Sequence, residues 1–343
     1  MTSAYSPDQV SLYLECIGVP ERCRHEPPTL EFLTMLHIHT ISTLPYENLS
    51  LHYNPSHNIS LDPQYLFRKM VTDKRGRGGF CMEIAILYNH ILRALGFDAY
   101  TAGVRTRPRI EGVPKGDFPR LVRHLTPHSS YPVHIRYQFY LPLTPRLLRG
   151  HIVNIVTFAD GSKYHSDVAF GGDGATKPMP LIEGLAHKNL GTQQVRLAKD
   201  WLPTQAHRVD SSKQGIYQYR NNPSQQWNSF YAFAEIEFLQ PDWGVVNHWM
   251  STHPDSNQVR NLLAVKFLRR TIASSDSNEQ EIYGKKMLVN GTVKQNLGDK
   301  TEFVKACATE ESRLQSLENV FSIVLSQTEK DGIQTSPLRL GRY

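Results

Sequence analysis

Apolar positions over the first hundred residues recur at helical spacing. Val10, Tyr13, Leu14 and Ile17 fall on one face, behind Ser6-Pro7-Asp8-Gln9, which supplies an N-cap, a proline at N1 and a glutamine at N3. Gly18 and Pro20 end that pattern. A second helix is predicted from about Thr29, carrying Leu30, Leu33 and Leu36. A third runs from about Cys81 to Leu95, with Ile84, Leu87, Tyr88, Ile91, Leu92 and Leu95 as its stripe and Gly96 placed to terminate it. Residues 1–96 therefore read as a mainly helical lobe.

Beyond Gly96 the period falls to two. Val133, Ile135, Tyr137, Phe139 and Leu141 alternate with polar or less apolar neighbours, and residues 151–170 predict two strands around Asp160-Gly161. Residues 97–215 are expected to form a β-barrel or sandwich. Within them, residues 105–130 hold Arg105, Arg107, Arg109, Lys115, Arg120 and Arg123 without periodicity and read as a long basic insertion, more in keeping with a solvated loop than with a site. From 216 to 343 the signals mix. Strand-like segments occupy about 227–238 and 262–271, a hairpin crosses Asn290-Gly291, and helices follow Pro241-Asp242 and cover about 310–320, giving a third, α/β lobe.

Composition narrows the function classes. The chain has 343 residues, 40% hydrophobic and 20% charged, which fits folded globular domains, two or three of them by length. No apolar run approaches the roughly 18 residues of a membrane helix, and the amino end lacks the basic and apolar regions of a signal peptide, so a soluble cytoplasmic protein is expected. A net charge of +6 fits an anionic ligand better than nucleic acid, for which no binding motif is present. Cys16, Cys23, Cys81 and Cys307 show neither a disulfide framework nor the CxxC spacing of a zinc or redox site.

Cys81 stands apart from the other three. It follows Arg75-Gly76-Arg77-Gly78-Gly79-Phe80 and opens the third helix, where two glycines permit close backbone approach and the helix dipole and arginines are expected to lower the thiol pKa. Cys16, Cys23 and Cys307 read as small buried apolar residues. A nucleophilic cysteine needs a base and a group to orient it. His151 opens one predicted strand and Asp167 ends the next. A two-residue turn at Asp160-Gly161 would set residue 151 opposite 170 and 154 opposite 167, sending the two side chains to opposite faces. Their pairing therefore requires an odd-length loop or a β-bulge.

Arg77-Gly78-Gly79-Phe80-Cys81-Met82-Glu83 resembles the RGG-aromatic-Cys motif of the arylamine N-acetyltransferases, and Leu44-Pro45-Tyr46-Glu47-Asn48-Leu49 resembles their Pro-aromatic-Glu-Asn segment. His151 before an apolar strand and Asp167-Val168-Ala169-Phe170-Gly171 are similar to the family's triad strands. The resemblance implies an α+β fold of N-terminal helical bundle, central β-barrel and C-terminal α/β lid, around a papain- or transglutaminase-like Cys-His-Asp core of Cys81, His151 and Asp167. It implies a structural ion pair between Glu47 and Arg77, and substrate contacts from Phe80, Phe170, Gly171 and Gly172. Three departures are visible: Ala85 where the family usually has Asn, Ala169 where it usually has Gly, and a long interval between Cys81 and His151.

The activity implied is ping-pong transfer of an acetyl group from acetyl-CoA, through an acyl-cysteine, to an aromatic amine or hydrazine, as in xenobiotic metabolism. The co-substrate would be acetyl-CoA or another acyl-CoA, with no tightly bound cofactor, metal, nucleic acid or membrane. The CoA phosphates would fall to the Gly171-Gly172-Asp173-Gly174 turn and the basic insertion. Malonyl-CoA and propionyl-CoA remain open as donors, as do a cysteine hydrolase or amidase and an inactive acyl-CoA-binding module. Oligomeric state is open.

Overall fold

The computed structural model describes residues 3–110, 113–118, 150–272 and 279–341. The alternating run at 133–141 and the part of the basic segment beyond 118 lie outside these residues.

Helix α1 (Pro7–Cys16) begins on the expected capping box, with Gln9 N–H donating to Ser6 Oγ at 3.3 Å and Ser6 N–H to Gln9 Oε1 at 3.1 Å. Gly18, at φ +73°, turns the chain out of it. Helix α2 (Leu30–Thr43), capped by Thr29, leads to a two-residue strand, β1 (Tyr46–Glu47). Short helices α3 (Leu49–Tyr53) and α4 (Pro63–Phe67) follow, the latter running into a π-turn at Arg68–Thr72. Helix α5 (Cys81–Ala94) is buried on nearly every face and forms the axis of the helical core.

Strand β2 (Asp98–Thr106) opens the barrel and contains Arg105, whose guanidinium donates to Gln214 Oε1 at 3.0 Å. A small hairpin of β3 (Arg109–Ile110) and β4 (Val113–Pro114) comes next. The start of the basic segment is thus strand and hairpin rather than solvated loop. Strands β5 (Gly150–Thr157), β6 (Lys163–Ser166), β7 (Met179–Pro180), β8 (Ala186–Lys188), β9 (Gln194–Asp200), β10 (Gln214–Arg220) and β11 (Asn228–Glu237) complete an antiparallel barrel in the order β7-β6-β5-β2-β11-β10-β9-β8, open between its end strands. The expected division at 216 falls inside β10. Both β10 and β11 belong to the barrel because they fill the place between β9 and β2, whose edges would otherwise be bare.

After the barrel come α6 (Gln240–Thr252) and α7 (Asn257–Arg260), then β12 (Leu263–Thr271), β13 (Gln280–Val289), β14 (Thr292–Asn296) and β15 (Thr301–Ala306), and finally α8 (Glu310–Phe321) and α9 (Gln327–Gly332). The four strands take β1 as a fifth, in the order β1-β12-β13-β14-β15, with Tyr46 opposite Val265. The Asn290-Gly291 turn pairs Val289 with Thr292, and Asn290 takes the positive φ of +55° that such a two-residue turn requires. The fold is α+β, with the helical core, the barrel and the second sheet meeting around the start of α5.

Candidate active site

The loop before Cys81 is built around two glycines. A Cβ on Gly78 would stand 1.8 Å from the Pro45 carbonyl oxygen, and one on Gly79 would stand 2.6 Å from Glu83 Cβ. Their absence lets Gly79 N–H donate to Pro45 O at 3.3 Å while Glu47 N–H donates to Gly79 O at 2.8 Å. Glu83 Oε2 accepts from Phe80 N–H at 3.0 Å, which fixes the start of α5 and presents Cys81 as its first residue.

Beneath this loop lies a buried charge cluster. Arg77 donates through Nε to Glu47 Oε1 at 2.9 Å and through Nη2 to Ser50 Oγ at 3.0 Å, and it also pairs with Glu329. Lys69 holds Glu83 at 2.7 Å and approaches Glu47 at 3.6 Å. Burial alone would raise the Glu47 pKa, but Arg77 and Lys69 outweigh it and bring it down to about 2, whereas burial prevails at Glu83 and pushes its carboxyl up.

These pairings change what the arginines do for Cys81. Arg77 is committed to Glu47 and Glu329, and Arg75 to Glu329 and Asp73, so neither supplies free positive charge to the thiol. Burial raises the Cys81 pKa, against a smaller lowering by the Met82 and Cys81 N–H groups at the helix start. The expected depression by nearby arginines is therefore absent. For such a thiol to react as a thiolate, a base must take its proton.

The β5–β6 hairpin has the odd-length loop that the His151–Asp167 pairing requires. Asn154 pairs with Ser166 and Thr157 with Lys163, and Phe158 N–H donates to Ser162 O at 2.8 Å across three loop residues, Ala159-Asp160-Gly161, the last at φ +82°. Continued by one step, this register sets Asp167 opposite Val153, on the face that His151 shares. His151 Nε2–H donates to Asp167 Oδ2 at 2.8 Å, with both groups buried.

Asp167 has two further donors. Ala169 N–H reaches Oδ1 at 3.0 Å, and the Tyr231 hydroxyl from β11 reaches Oδ2 at 2.7 Å. Burial acts to raise the Asp167 pKa, but His151, with smaller help from His165 and Tyr231, outweighs it and lowers the pKa. Tyr231 has one proton and gives it to the carboxylate, so the 2.8 Å contact with His165 must be donated by His165 Nε2–H. Burial lowers the His165 pKa to about 4, keeping it neutral. Neither Tyr231 nor His165 was marked by sequence pattern, since only closure of the barrel brings β11 behind Asp167.

Cys81 and His151 line one cavity of about 460 Å³, together with Phe170, Gly171 and Gly172 from the segment after Asp167. The Phe170 ring packs on His151 at 5.0 Å and on Tyr231 at 4.7 Å. Phe80 is not among the lining residues. As the residue before α5 it is 1% exposed and turned into the helical core, which removes it from the expected substrate contacts. The Gly172 carbonyl accepts from Lys285, and Asp173 pairs with Arg109. Among the described residues, no group of three or more His, Cys, Asp or Glu is placed to hold a metal, and no helix is long and apolar enough to cross a membrane.

A sequence profile described as N-acetyltransferase matches residues 29–115 and 144–330. The chain belongs to the arylamine N-acetyltransferase family. It is 28% identical over 351 aligned positions to the N-malonyltransferase FDB2 of Fusarium pseudograminearum, covering 96% of this chain and 92% of that protein. The arylamine N-acetyltransferase of Nocardia farcinica superposes with a TM-score of 0.69 at 21% identity, over 96% of this chain and 94% of the other. That of Mycobacterium marinum in complex with CoA does so with a TM-score of 0.64 at 20% identity, over 95% and 99%. The fold is that of the arylamine N-acetyltransferases, and the protein is an acyltransferase of their family.

Ala85 and Ala169 stand where the resemblance implies Asn and Gly. Where Ala85 offers no side-chain hydrogen bond, its carbonyl accepts from Asn154 Nδ2 at 3.2 Å, and Asn154 Oδ1 accepts from Asn89 Nδ2 at 2.8 Å, so a bridge between α5 and β5 is made one turn later. Ala169 lines the cavity beside Phe170, where its methyl takes up space that a glycine would leave open.

Proposed function

We propose that this protein is an arylamine N-acetyltransferase that carries an acetyl group from acetyl-CoA through a thioester on Cys81 to an aromatic amine. The observation that carries the reading is the 2.8 Å His151–Asp167 hydrogen bond at the wall of the cavity that Cys81 also lines. With Nε2–H committed to Asp167, Nδ1 is the basic nitrogen left for the thiol.

Nδ1 takes the Cys81 proton, and the thiolate attacks the thioester carbonyl. The C–S bond to CoA breaks, and CoA leaves as a thiol with the proton from the imidazolium. A thioester is exchanged for a thioester, so the step is close to balanced. The amine then attacks the acyl-cysteine, His151 accepts its proton and returns it to the Cys81 sulfur, and the amide leaves. Asp167 holds the ring in one tautomer and stabilises the imidazolium formed in each half. Phe170 would face the aromatic acceptor. Glu47 and Arg77 serve as structure, holding the cysteine's loop to the helical core.

Likeness to an N-malonyltransferase over 96% of the chain keeps malonyl-CoA as a competing donor, with propionyl-CoA beside it. Incubation with acetyl-CoA in the absence of amine, followed by intact mass measurement, tests the reading. The expected result is a gain of one acetyl group that Cys81→Ser abolishes. Steady CoA release without an adduct points instead to a hydrolase, and no adduct with any of the three donors points to a binding module. Competition among the three donors in the same tube ranks them.

A further inference from the structure

The reaction above draws twice on the stretch from Asp167 to Gly174, for the carboxylate that orients His151 and for the cavity wall of Ala169, Phe170, Gly171 and Gly172. Both ends of that stretch are fastened to one side chain that no step of the chemistry involves. His37, on α2, is fully buried, with Nδ1 at 3.1 Å from Ser166 Oγ and Nε2 at 3.0 Å from the Ala175 carbonyl oxygen. Ser166 immediately precedes Asp167, and Ala175 immediately follows Gly174.

Counting protons fixes the direction of each bond. A carbonyl can only accept, so Nε2 carries the hydrogen and donates to Ala175. Nδ1 is then a lone pair, and the Ser166 hydroxyl must donate to it. The Ser166 oxygen is left to accept, and the Tyr88 hydroxyl, 3.2 Å away, donates to it. The chain from Tyr88 through Ser166 and His37 to Ala175 uses every proton once, and burial, which brings the His37 pKa down to about 4, keeps the ring neutral as this order requires.

Its placement gives this chain reach into the site. Tyr88 follows Cys81 on α5 by about two turns and lies on the same face of the helix. Ser166 ends β6 and pairs with Asn154 of β5, the strand that carries His151. Ser166 therefore joins the helix of the nucleophile to the hairpin of its base, and His37 ties that junction to the far end of the Asp167–Gly174 stretch.

We infer that His37 is a positioning residue for the transfer reaction, closing the chain from Tyr88 to Ala175 and so holding Asp167, and through it His151, in place for Cys81. This rests on the amine-transfer reading above. Without the imidazole, the Ser166 hydroxyl and the Ala175 carbonyl lose their partners together, and the stretch between them is no longer tied end to end. Neither His37 nor Ser166 lines the cavity, so the loss falls on proton removal from Cys81 rather than on binding of acetyl-CoA.

The test follows acyl-adduct formation by intact mass in single turnovers over a range of acetyl-CoA concentrations, at a temperature where calorimetry shows each protein folded. His37→Leu is expected to lower the maximal rate by about 10- to 100-fold, the scale of a displacement of about 1 Å at a reacting group, with the half-saturating acetyl-CoA concentration within about twofold of wild type. Ser166→Ala, which breaks the same chain by removing one oxygen, should lose about as much, and the double variant should fall no more than about twofold below the slower single one. In an Asp167→Asn background, where the carboxylate to be positioned is gone, His37→Leu should change the rate by less than about threefold. Wild-type rate in folded His37→Leu overturns the inference, and if that variant does not fold, wild-type rate in Ser166→Ala does so. An equal loss with and without Asp167 overturns it too, because His37 would then support the fold without acting through the triad. A wild-type protein that forms no acyl adduct removes the transfer reading and this inference with it, whereas an adduct whose rate ignores both variants leaves the transfer reading standing.

Discussion

Replacing Arg77 by methionine removes the main counter-charge of a carboxylate that has no access to water. Glu47 loses two guanidinium contacts, at 2.9 and 3.4 Å, and its nearest remaining cation is Lys69 at 3.6 Å. That ammonium is already bound to Glu83 at 2.7 Å, so two buried carboxylates would share one cation. Breaking a buried pair by removing one partner costs about 3–5 kcal/mol. At about 2.1 cal/mol/K per residue, a chain of 343 residues unfolds with an entropy of ~0.7 kcal/mol/K, so Tm should fall by about 4–7 °C. Adding Glu47→Gln to Arg77→Met should return part of the loss, since no charge is then stranded. The pH dependence has a definite sign. Glu47, brought down to about 2 in the folded protein, contributes stability above its ordinary value of 4.5 that is lost as pH falls toward 2. With Arg77 gone, burial raises the Glu47 pKa, and the variant gains relative to wild type as pH falls. The gap in Tm should therefore narrow below neutral pH. Scanning calorimetry of the wild type, both single variants and the double variant between pH 4 and pH 8 reads all of this. Strictly additive losses, or a gap indifferent to pH, would refute the account of Arg77 and Glu47 as a coupled pair.

Two other perturbations probe the site directly. Asp167→Asn should slow acyl-adduct formation by about 10³- to 10⁴-fold in a mass time course with little change in Tm, because the amide no longer fixes the Nε2–H tautomer of His151; a loss under tenfold would count against Asp167 as the orienting group. Gly78→Ala should cost about 3 kcal/mol or more in urea denaturation, since its methyl would meet the Pro45 carbonyl oxygen at 1.8 Å, whereas Gly161→Ala, with nothing within 4 Å and only its φ of +82° to strain, should cost about 1–2; equal costs would show that the loop yields freely.

Where a feature depends on neighbours in sequence, it was legible. The box at Ser6 and Gln9, the Thr29 cap, the start of α5 at Cys81 and the Asn290-Gly291 turn all rest on contacts within a few residues. The His151–Asp167 register was legible for a sharper reason: side chains alternate along strands, so asking both to face one way demanded an odd-length loop or a β-bulge, and the structure has the odd loop. Features made by distant segments left no local trace. Glu329 completes the Arg77 pairing from 252 residues away. Tyr231 arrives from β11, and a lone tyrosine in a strand carries no signature of what it will face. The membership of β10 and β11 in the barrel was missed because strand propensity says nothing about which sheet a strand joins. Phe80 was misplaced because adjacency to the nucleophile in sequence says nothing about which way a helix's first residues turn.

The segment before Cys81 is finished by residues 322–329. Gly76 leaves room only for the backbone of Ser322, whose carbonyl oxygen would lie 1.8 Å from an added Cβ, and Val324 N–H donates to Arg75 O at 2.9 Å. Glu329 then closes on both Arg75 and Arg77. During synthesis Cys81 is made long before residues 322–329, which form the wall behind its loop. Until that stretch leaves the ribosome, Arg77 has lost one of its two carboxylates and the loop one of its faces. A nascent protein with Cys81, His151 and Asp167 already folded, but without residues 322–329, would therefore hold its thiol on an unfinished support.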